Sequence, residues 1–297
     1  MKEERNMKFS GVMPALITPM TKEGKLNKAV LKQLIEDLIA KGADGFYIGG
    51  ATGEGLVLDA DVHKELTSES IRIVNHRVPC IVHVARMNYK EMLELARHAE
   101  QEGAEAISAV PPLFYRYGDD GIYAYYKGLA DSVKIPVVIY NNPNTGVTFT
   151  NALLNRLFTI PNITAIKWTN YDFSAVMQLK NANPDANIIN GPDEMLLLGL
   201  SAGCDACIGT TYNFQLPLIK KIYNAYHAGN LEEARALQTK VCKIVNVMIP
   251  WNVIMSTKLI LSKQGYDVNY PIHPMQGYTK EQEETLMAQL LEAGLEL

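Results

Sequence analysis

The sequence has few residues that ordinarily bind metals or form disulfides. Its 297 residues include four cysteines and six scattered histidines. Cys204 and Cys207 have the C-x-x-C spacing of a redox motif or of half a zinc site, but no second C-x-x-C or H-x-x-x-H accompanies them. We therefore expect no metal site and interpret all four as small thiols of the protein interior, namely Cys80, Cys204, Cys207 and Cys242.

The sequence also lacks an excess of positive charge and any long apolar run. It contains 28 Lys and Arg against 32 Asp and Glu, a formal net charge of −4, which argues against a nucleic-acid or membrane surface. No apolar run reaches the roughly 18–20 residues of a membrane span. The first residues, MKEERNMK, are charged and contain no apolar signal core. We expect a cytoplasmic protein with no nucleic-acid partner and no membrane association.

What the sequence does contain is a regular alternation of short apolar runs with segments of helical length. The runs are continuously apolar, as in a parallel sheet whose two faces are both buried. In the segment KAVLKQLIEDLIAK, Val30, Leu34 and Leu38 recur at helical spacing. The alternation predicts an α/β fold, a closed (β/α)8 TIM barrel, rather than an open doubly wound sheet. The eight predicted strand segments are 11–18, 45–50, 79–84, 106–110, 136–140, 163–168, 187–191 and 205–210.

Further helical segments follow the eighth predicted strand, and no linker-like stretch separates them from the barrel. They span roughly 214–228, 231–247, 251–264 and 280–294. We divide the chain into a lead-in (1–10), a barrel (11–228) and a C-terminal helical extension (229–297). In such barrels the active site forms at the carboxyl ends of the strands, so the residues that end the strands are the candidates for chemistry.

Lys167 and Tyr140 end two neighbouring predicted strands, in ITAIKW and PVVIY. A lysine at the end of a barrel strand faces inward, where burial favours the neutral amine, a nucleophile able to form a Schiff base with a ketone. A nearby phenol can move protons to and from the carbonyl or alkoxide. Taken singly, each residue also fits a structural role, as a lysine that extends into solvent or a tyrosine that caps the core.

The glycine-rich turn GGATGEG follows the second predicted strand. Its backbone N–H groups and the Thr52 hydroxyl suit a carboxylate or a phosphate. From Gly50 the glycines read G-x-x-G-x-G, which is neither the G-x-G-x-x-G of dinucleotide-binding folds nor a P-loop. We therefore expect Gly50, Ala51 and Thr52 to bind a small carboxylate, with a plain tight turn as the alternative.

Two acids, Asp193 and Glu194, follow the seventh predicted strand in NGPDEM. Acids are favoured at the start of a helix by capping and by the helix dipole, so a structural role is open. The functional interpretation is that they accept hydrogen bonds from a polyhydroxylated substrate. The sequence pattern alone does not choose between these two roles.

In order and spacing, these motifs resemble one family over nearly the whole chain. The segments are GVMPALITPM, GGATGEG, SAVPPLFY, VVIYNNP, AIKWT, NGPDE and CIGTTYN. They are similar to the class I aldolase family that contains dihydrodipicolinate synthase and N-acetylneuraminate lyase. The resemblance implies a barrel with a C-terminal helical extension, a Schiff-base lysine at Lys167, Tyr140 as the proton-handling phenol, and a homotetramer.

Within that family, AIKWT and NGPDEM look like the sialate lyase branch. There, the threonine two residues after the lysine and the Gly-x-Asp-Glu turn bind sugar hydroxyls, and Thr210 stands where the lyases have a serine. The implied reaction is the cleavage of a 2-keto acid sugar, N-acetylneuraminate in the first place, to pyruvate and N-acetylmannosamine. The lysine imine makes a metal ion or organic cofactor unnecessary. The implied sugar-binding residues are Thr169, Gly191, Asp193, Glu194 and Thr210.

The sequence departs from the family pattern at two positions of the expected proton relay. The family's glycine-rich turn carries two hydroxyl residues, whereas the first is Ala51 here. The loop after strand four normally gives a tyrosine hydroxyl across a subunit interface, and Phe114 is the aligned residue. Tyr115, the next residue, or an ordered water could take over this role.

Three alternatives stay open. The chain could be an aldolase or dehydratase for another 2-keto-3-deoxy sugar acid. A dihydrodipicolinate synthase is disfavoured because the loop NNPNTGV after Tyr140 lacks the arginine of those enzymes. Finally, the missing relay hydroxyls would suit a non-catalytic barrel that binds a keto acid.

Overall fold

A computed structural model describes residues 8–268 and 270–297, in which eight parallel strands form one sheet. β1 (Gly11–Pro14) pairs with β8 (Ala206–Gly209), and the sheet continues through consecutive neighbours to β2 (Phe46–Ile48). A bridge between Ala15 and Tyr47, with the Leu16 N–H donating to the Tyr47 carbonyl at 2.9 Å, joins its two edges. The predicted (β/α)8 barrel is therefore confirmed. The strands are β1 Gly11–Pro14, β2 Phe46–Ile48, β3 Cys80–His83, β4 Ala106–Ala109, β5 Val137–Asn141, β6 Ile163–Trp168, β7 Asn187–Asn190 and β8 Ala206–Gly209.

A helix follows each strand, as the alternating pattern predicts. Several begin at side chains that accept a hydrogen bond from a first-turn amide, among them Asn27, Asn88 and Thr150. The helices are α1 Lys28–Ala40, α2 Ala60–Val74, α3 Tyr89–Glu102, α4 Asp119–Asp131, α5 Asn151–Leu157, α6 Phe173–Ala182, α7 Leu196–Ser201 and α8 Tyr212–His227.

Three further helices follow the barrel: α9 Leu231–Met248, α10 Val253–Lys263 and α11 Lys280–Glu292. They lie within a few residues of the predicted segments. The division of the chain at 228 remains a prediction. Of the predicted lead-in (1–10), residues 1–7 lie outside the described residues. No single described helix is long and apolar enough to cross a membrane. Leu231–Trp251 and Val253–Lys263, two helical segments bent by 114° relative to each other, would together reach the length and apolar composition of a span.

The strands lie in a continuous apolar core. The residues of seven strands are all buried, and in β6 only Thr164 is partly exposed. Cys80, Cys204 and Cys207 are buried free thiols, and burial raises the pKa of Cys204 to about 12. They therefore pack as small apolar side chains. Within residues 8–268 and 270–297, no group of three or more His, Cys, Asp or Glu side chains is placed to hold a metal ion.

Candidate active site

The structure brings Lys167 and Tyr140 together at the carboxyl end of the barrel. Their strands, β6 and β5, pair in a register that sets Tyr140 directly opposite Lys167. The Lys167 Nζ lies 4.1 Å from the centroid of the Tyr140 ring and 4.8 Å from that of Tyr47. Lys167 and Tyr140 are only 6% and 3% exposed. An amine that can act as a nucleophile thus contacts a phenol in a site largely closed to water.

The Tyr140 phenol is electrostatically adjusted for proton transfer. Burial by itself would raise its pKa, but the Lys167 ammonium and the Asn142 amide oppose this, and the net effect is a lowered pKa. The Asn142 Nδ2 donates to the Tyr140 hydroxyl at 3.3 Å. A lowered pKa makes the phenolate of Tyr140, the form that can accept a proton from a substrate hydroxyl, more accessible than that of a tyrosine in water.

Two aromatic residues that the sequence reasoning missed form the floor of this site. The Tyr47 ring meets Tyr140 edge to face at 6.0 Å, and its hydroxyl donates to Ser108 Oγ at 3.0 Å. The His83 ring packs at 5.9 Å from Tyr140, and burial is the main cause that lowers its pKa to about 3, so the imidazole is neutral. His83 Nδ1 lies 3.2 Å from the Gly49 carbonyl, where it supports the glycine-rich turn. Both residues lie in predicted strands, and this position is the feature of the sequence that could have identified them.

The glycine-rich turn folds into a compact loop. The Gly55 N–H donates to the Gly50 carbonyl at 3.0 Å, and a Cβ at Gly50 would overlap the Tyr47 ring, so only glycine fits there. Among the residues that the structure describes, none accepts a hydrogen bond from the amides of Ala51 and Thr52. Free backbone amides of this kind are groups that bind a small anion.

The hydroxyl of Thr52 pairs with that of Thr210, at 2.6 Å. This contact joins the turn after β2 to the end of β8 and unites two of the predicted substrate-binding residues. Phe114 and Tyr115 lie on the surface, 84% and 65% exposed, and Phe114 has a φ of 74° in the left-handed region. The Thr52 hydroxyl thus has its partner two strands away, across β1, within the same chain.

A cavity of about 480 Å³ is lined by every predicted sugar-binding residue: Thr169, Gly191, Asp193, Glu194 and Thr210. Its lining does not include Lys167, Tyr140 or the turn residues Gly50, Ala51 and Thr52. The cavity is connected to the catalytic pair through Asn142, which lines it and donates to the Tyr140 hydroxyl. The Thr169 hydroxyl is buried and is one of the groups that lower the pKa of Tyr140, although its geometry meets no hydrogen-bond criterion among residues 8–268 and 270–297. A Cβ at Gly191 would overlap that hydroxyl, which explains why this position is a glycine.

The two acids of the cavity have different environments. Burial raises the pKa of Asp193 to about 6, although its Oδ2 accepts a hydrogen bond from the Thr211 N–H at 2.7 Å. Near pH 6 Asp193 can therefore change from an acceptor to a donor. The Glu194 Oε1 accepts from the Tyr171 hydroxyl at 2.6 Å, and this bond is the main cause that raises the pKa of Tyr171 to about 12. Asp193 thus caps the chain before α8, whereas Glu194 is held by a side chain of the cavity.

Sequence reasoning missed the remaining walls of the cavity. Tyr171 and the loop after β5 contribute polar groups, and the C-terminal extension contributes an apolar side. Because the apolar residues are distant from the barrel motifs in sequence, no local pattern could reveal them. The missed residues are Asn142, Asn144, Tyr171, Val245, Ile249 and Val253.

A buried lysine beside a phenol, at the carboxyl ends of barrel strands and next to a polar cavity, is an arrangement suited to imine chemistry on a keto acid. The fold and the site together define a class I aldolase.

The chain belongs to the Dihydrodipicolinate synthetase family, whose sequence profile matches residues 8–293. The family consists of pyruvate-dependent lyases and aldolases that use a Schiff-base lysine without a cofactor. The resemblance inferred from the motifs is therefore confirmed. An N-acetylneuraminate lyase of Rhizobium meliloti is 33% identical over 287 residues, which cover 97% of this chain and 95% of that relative.

Solved structures of similar proteins support the same assignment. The Clostridium difficile protein CdNal, in complex with mannosamine, has a TM-score of 0.92 and 29% identity, with 97% of this chain and 100% of that chain covered. The Escherichia coli protein YagE, of the dihydrodipicolinic acid synthase family and in complex with pyruvate, has a TM-score of 0.91 and 28% identity, with 96% and 98% covered. The fold is thus shared with family members of more than one description.

Proposed function

We propose that the protein catalyses the reversible cleavage of N-acetylneuraminate to pyruvate and N-acetylmannosamine. The observation that carries the proposal is the contact between Lys167 and Tyr140, whose hydroxyl is bound by Asn142 of the cavity that all five predicted sugar-binding residues line. The N-acetylneuraminate lyase of Rhizobium meliloti, similar over nearly the full length, supports the choice of substrate.

The proposed reaction begins when the neutral Lys167 amine attacks the C2 ketone of the open-chain substrate. Loss of water, with the uptake of one proton from solvent, gives a protonated imine, which accepts the electrons of the breaking C3–C4 bond. Tyr140, as phenolate, takes the proton of the C4 hydroxyl, and the aldehyde leaves. The Tyr140 phenol returns this proton to C3 of the enamine, and water then hydrolyses the protonated imine to release pyruvate, the free lysine and the proton taken up earlier. No metal ion or organic cofactor takes part.

The binding groups follow from the same geometry. The free amides of Ala51 and Thr52, with Gly50, hold the substrate carboxylate. Thr169, Gly191, Asp193, Glu194 and Thr210 orient the polyol chain. The Thr52–Thr210 hydroxyl pair lies between the two regions and is a route for protons where Ala51 lacks a hydroxyl.

The test is the release of pyruvate from N-acetylneuraminate, measured against a panel of shorter 2-keto-3-deoxy sugar acids. We expect the highest kcat/KM with N-acetylneuraminate. Release from a shorter acid alone would favour the second candidate, an aldolase or dehydratase for that acid. The absence of turnover with every keto acid, from a folded protein, would contradict both and favour a non-catalytic keto-acid-binding barrel.

The contact between Tyr171 and Glu194 gives a specific expectation for the sugar end of the cavity. A Tyr171→Phe variant loses the hydrogen bond that fixes Glu194, so the KM for N-acetylneuraminate rises about fivefold, the equivalent of about 1 kcal/mol, with little change in kcat. A short 4-hydroxy-2-keto acid that does not reach Glu194 is the matched control, and its KM stays unchanged. An equal rise for both substrates would contradict the role of Tyr171 at the distal end.

We also propose a homotetramer, on the basis of the family resemblance. The exposed aromatic pair Phe114 and Tyr115, whose rings meet at 5.1 Å, offers an apolar surface for contact between copies. Sedimentation equilibrium tests this: the mass of a single chain over micromolar concentrations would contradict it.

A further inference from the structure

Glu54 is the one acid of the glycine-rich turn, and it points into the protein rather than toward the cavity. It has a positive φ of 56°, and its side chain is fully buried. One carboxylate oxygen accepts from the Ile272 N–H at 2.9 Å, and the other contacts the Lys258 Nζ. The acid of the turn is thus bound entirely by residues that follow the barrel.

Lys258 lies in α10 of the C-terminal extension, and its side chain is also fully buried. Besides Glu54, its Nζ donates to the Tyr270 carbonyl at 3.0 Å. Burial is the main cause that lowers the pKa of Lys258, and the charge of Glu54 opposes this shift. The pair therefore joins the turn to two separate parts of the extension, α10 and the segment that contains Tyr270 and Ile272.

A buried ion pair generally stabilises a fold no better than apolar side chains of similar volume. Stability alone therefore does not explain why two charges are buried behind this turn. The position of Glu54 gives another reason, since it follows Ala51 and Thr52, whose amides are free. An unpaired carboxylate there would repel the carboxylate of a keto acid bound to those amides, because Coulomb interactions are weakly screened at buried sites.

We propose that Lys258, through Glu54, positions and neutralises the carboxylate-binding turn, so that the C-terminal extension determines the affinity of the site for anionic keto acids. This inference rests on the proposed function, since it requires imine formation at Lys167 and carboxylate binding at Ala51 and Thr52. Lys258 and Glu54 are positioning residues, because neither touches the reacting atoms.

The test compares two ligands that differ in charge, pyruvate and its neutral amide, pyruvamide. Both carry the ketone that Lys167 attacks, and borohydride reduction makes each imine permanent. The measured quantity is the second-order rate constant for trapping each ligand on Lys167, detected by mass. The comparison is made at alkaline pH, because a buried carboxylate without its partner takes up a proton near neutrality. In Lys258→Met, we then expect the ratio of the pyruvate constant to the pyruvamide constant to fall on the order of tenfold, because Glu54 is left charged and unpaired behind the turn.

A double variant, Glu54→Gln with Lys258→Met, keeps an oxygen acceptor for the Ile272 N–H while removing both charges. It recovers most of the pyruvate-to-pyruvamide ratio, and it guards against the case in which Lys258→Met alone fails to fold. Lys263→Met, an exposed position on the same helix, is the matched control and leaves the ratio unchanged. Far-UV circular dichroism establishes that each variant is folded.

The possible failures are distinguishable. If the unsubstituted protein does not trap pyruvate on Lys167, the proposed function is contradicted. Suppose that pyruvate is trapped on Lys167. If Lys258→Met then lowers the trapping rate constants of pyruvate and pyruvamide equally, or if the double variant does not recover the selectivity for pyruvate, the pair is a structural contact only and the inference is wrong.

Discussion

A Lys167→Met variant loses borohydride trapping of pyruvate and cleaves N-acetylneuraminate at least about 10⁴-fold more slowly than the unsubstituted protein, as expected when the nucleophile of a covalent mechanism is removed. Methionine has a similar length and keeps the apolar contacts of the side chain with the Tyr140 and Tyr47 rings. The variant therefore folds, and the loss reports the amine alone. Intact-protein mass spectrometry measures trapping, and pyruvate release measures cleavage.

The matched control is Lys32→Met, an exposed lysine on α1. It removes one amine and one charge from the surface and leaves trapping and cleavage unchanged. Peptide mapping of the trapped, unsubstituted protein locates the modified lysine. A modification at any lysine other than Lys167, or continued cleavage by Lys167→Met, would show that the nucleophile lies elsewhere.

A Tyr140→Phe variant separates imine formation from bond cleavage. It still traps pyruvate, because Lys167 keeps its aromatic neighbour, but cleavage falls by about 10²–10⁴-fold, the usual contribution of general acid–base catalysis. The reason is the hydroxyl itself, whose pKa the Lys167 ammonium lowers against the opposing effect of burial. The ratio of the trapping rate to the cleavage rate is the quantity to measure.

Tyr226→Phe is a suitable control for this variant. It removes a hydroxyl that donates to the Leu200 carbonyl at 3.0 Å, outside the cavity, and it leaves both rates unchanged. Cleavage by Tyr140→Phe at the unsubstituted rate would mean that another group takes the C4 proton. Tyr115 of a neighbouring copy would then be the next residue to substitute.

The positions of Lys167 and Tyr140 could be predicted because they are local in sequence. Each residue lies at or one position before the end of an apolar run, and the order of the runs places them on neighbouring strands. The bounds of the strands could be predicted less well, because the first apolar run covers 11–18 whereas β1 ends at Pro14. Residues 15–18 are nevertheless buried, since an apolar run reports burial and not the hydrogen bonds that define a strand.

The contacts that complete the site could not be predicted, because they join distant parts of the chain. Glu54 and Lys258 are 204 residues apart, and Thr52 and Thr210 are 158 apart. Within GGATGEG nothing distinguishes an acid that faces the ligand from one that faces the interior. Tyr171 lies two residues after Thr169, yet only the folded cavity shows that it holds Glu194.

The apolar side of the cavity has a consequence for how substrate range can change. Val245, Ile249 and Val253 come from the C-terminal extension, whereas Lys167, the proposed nucleophile, lies on β6 of the barrel. Substitutions at these three positions alter the volume available to the departing aldehyde without moving the lysine. A library confined to them would give variants that join pyruvate to new aldehydes in the reverse, synthetic direction, with the carbon–carbon bond-forming step itself retained.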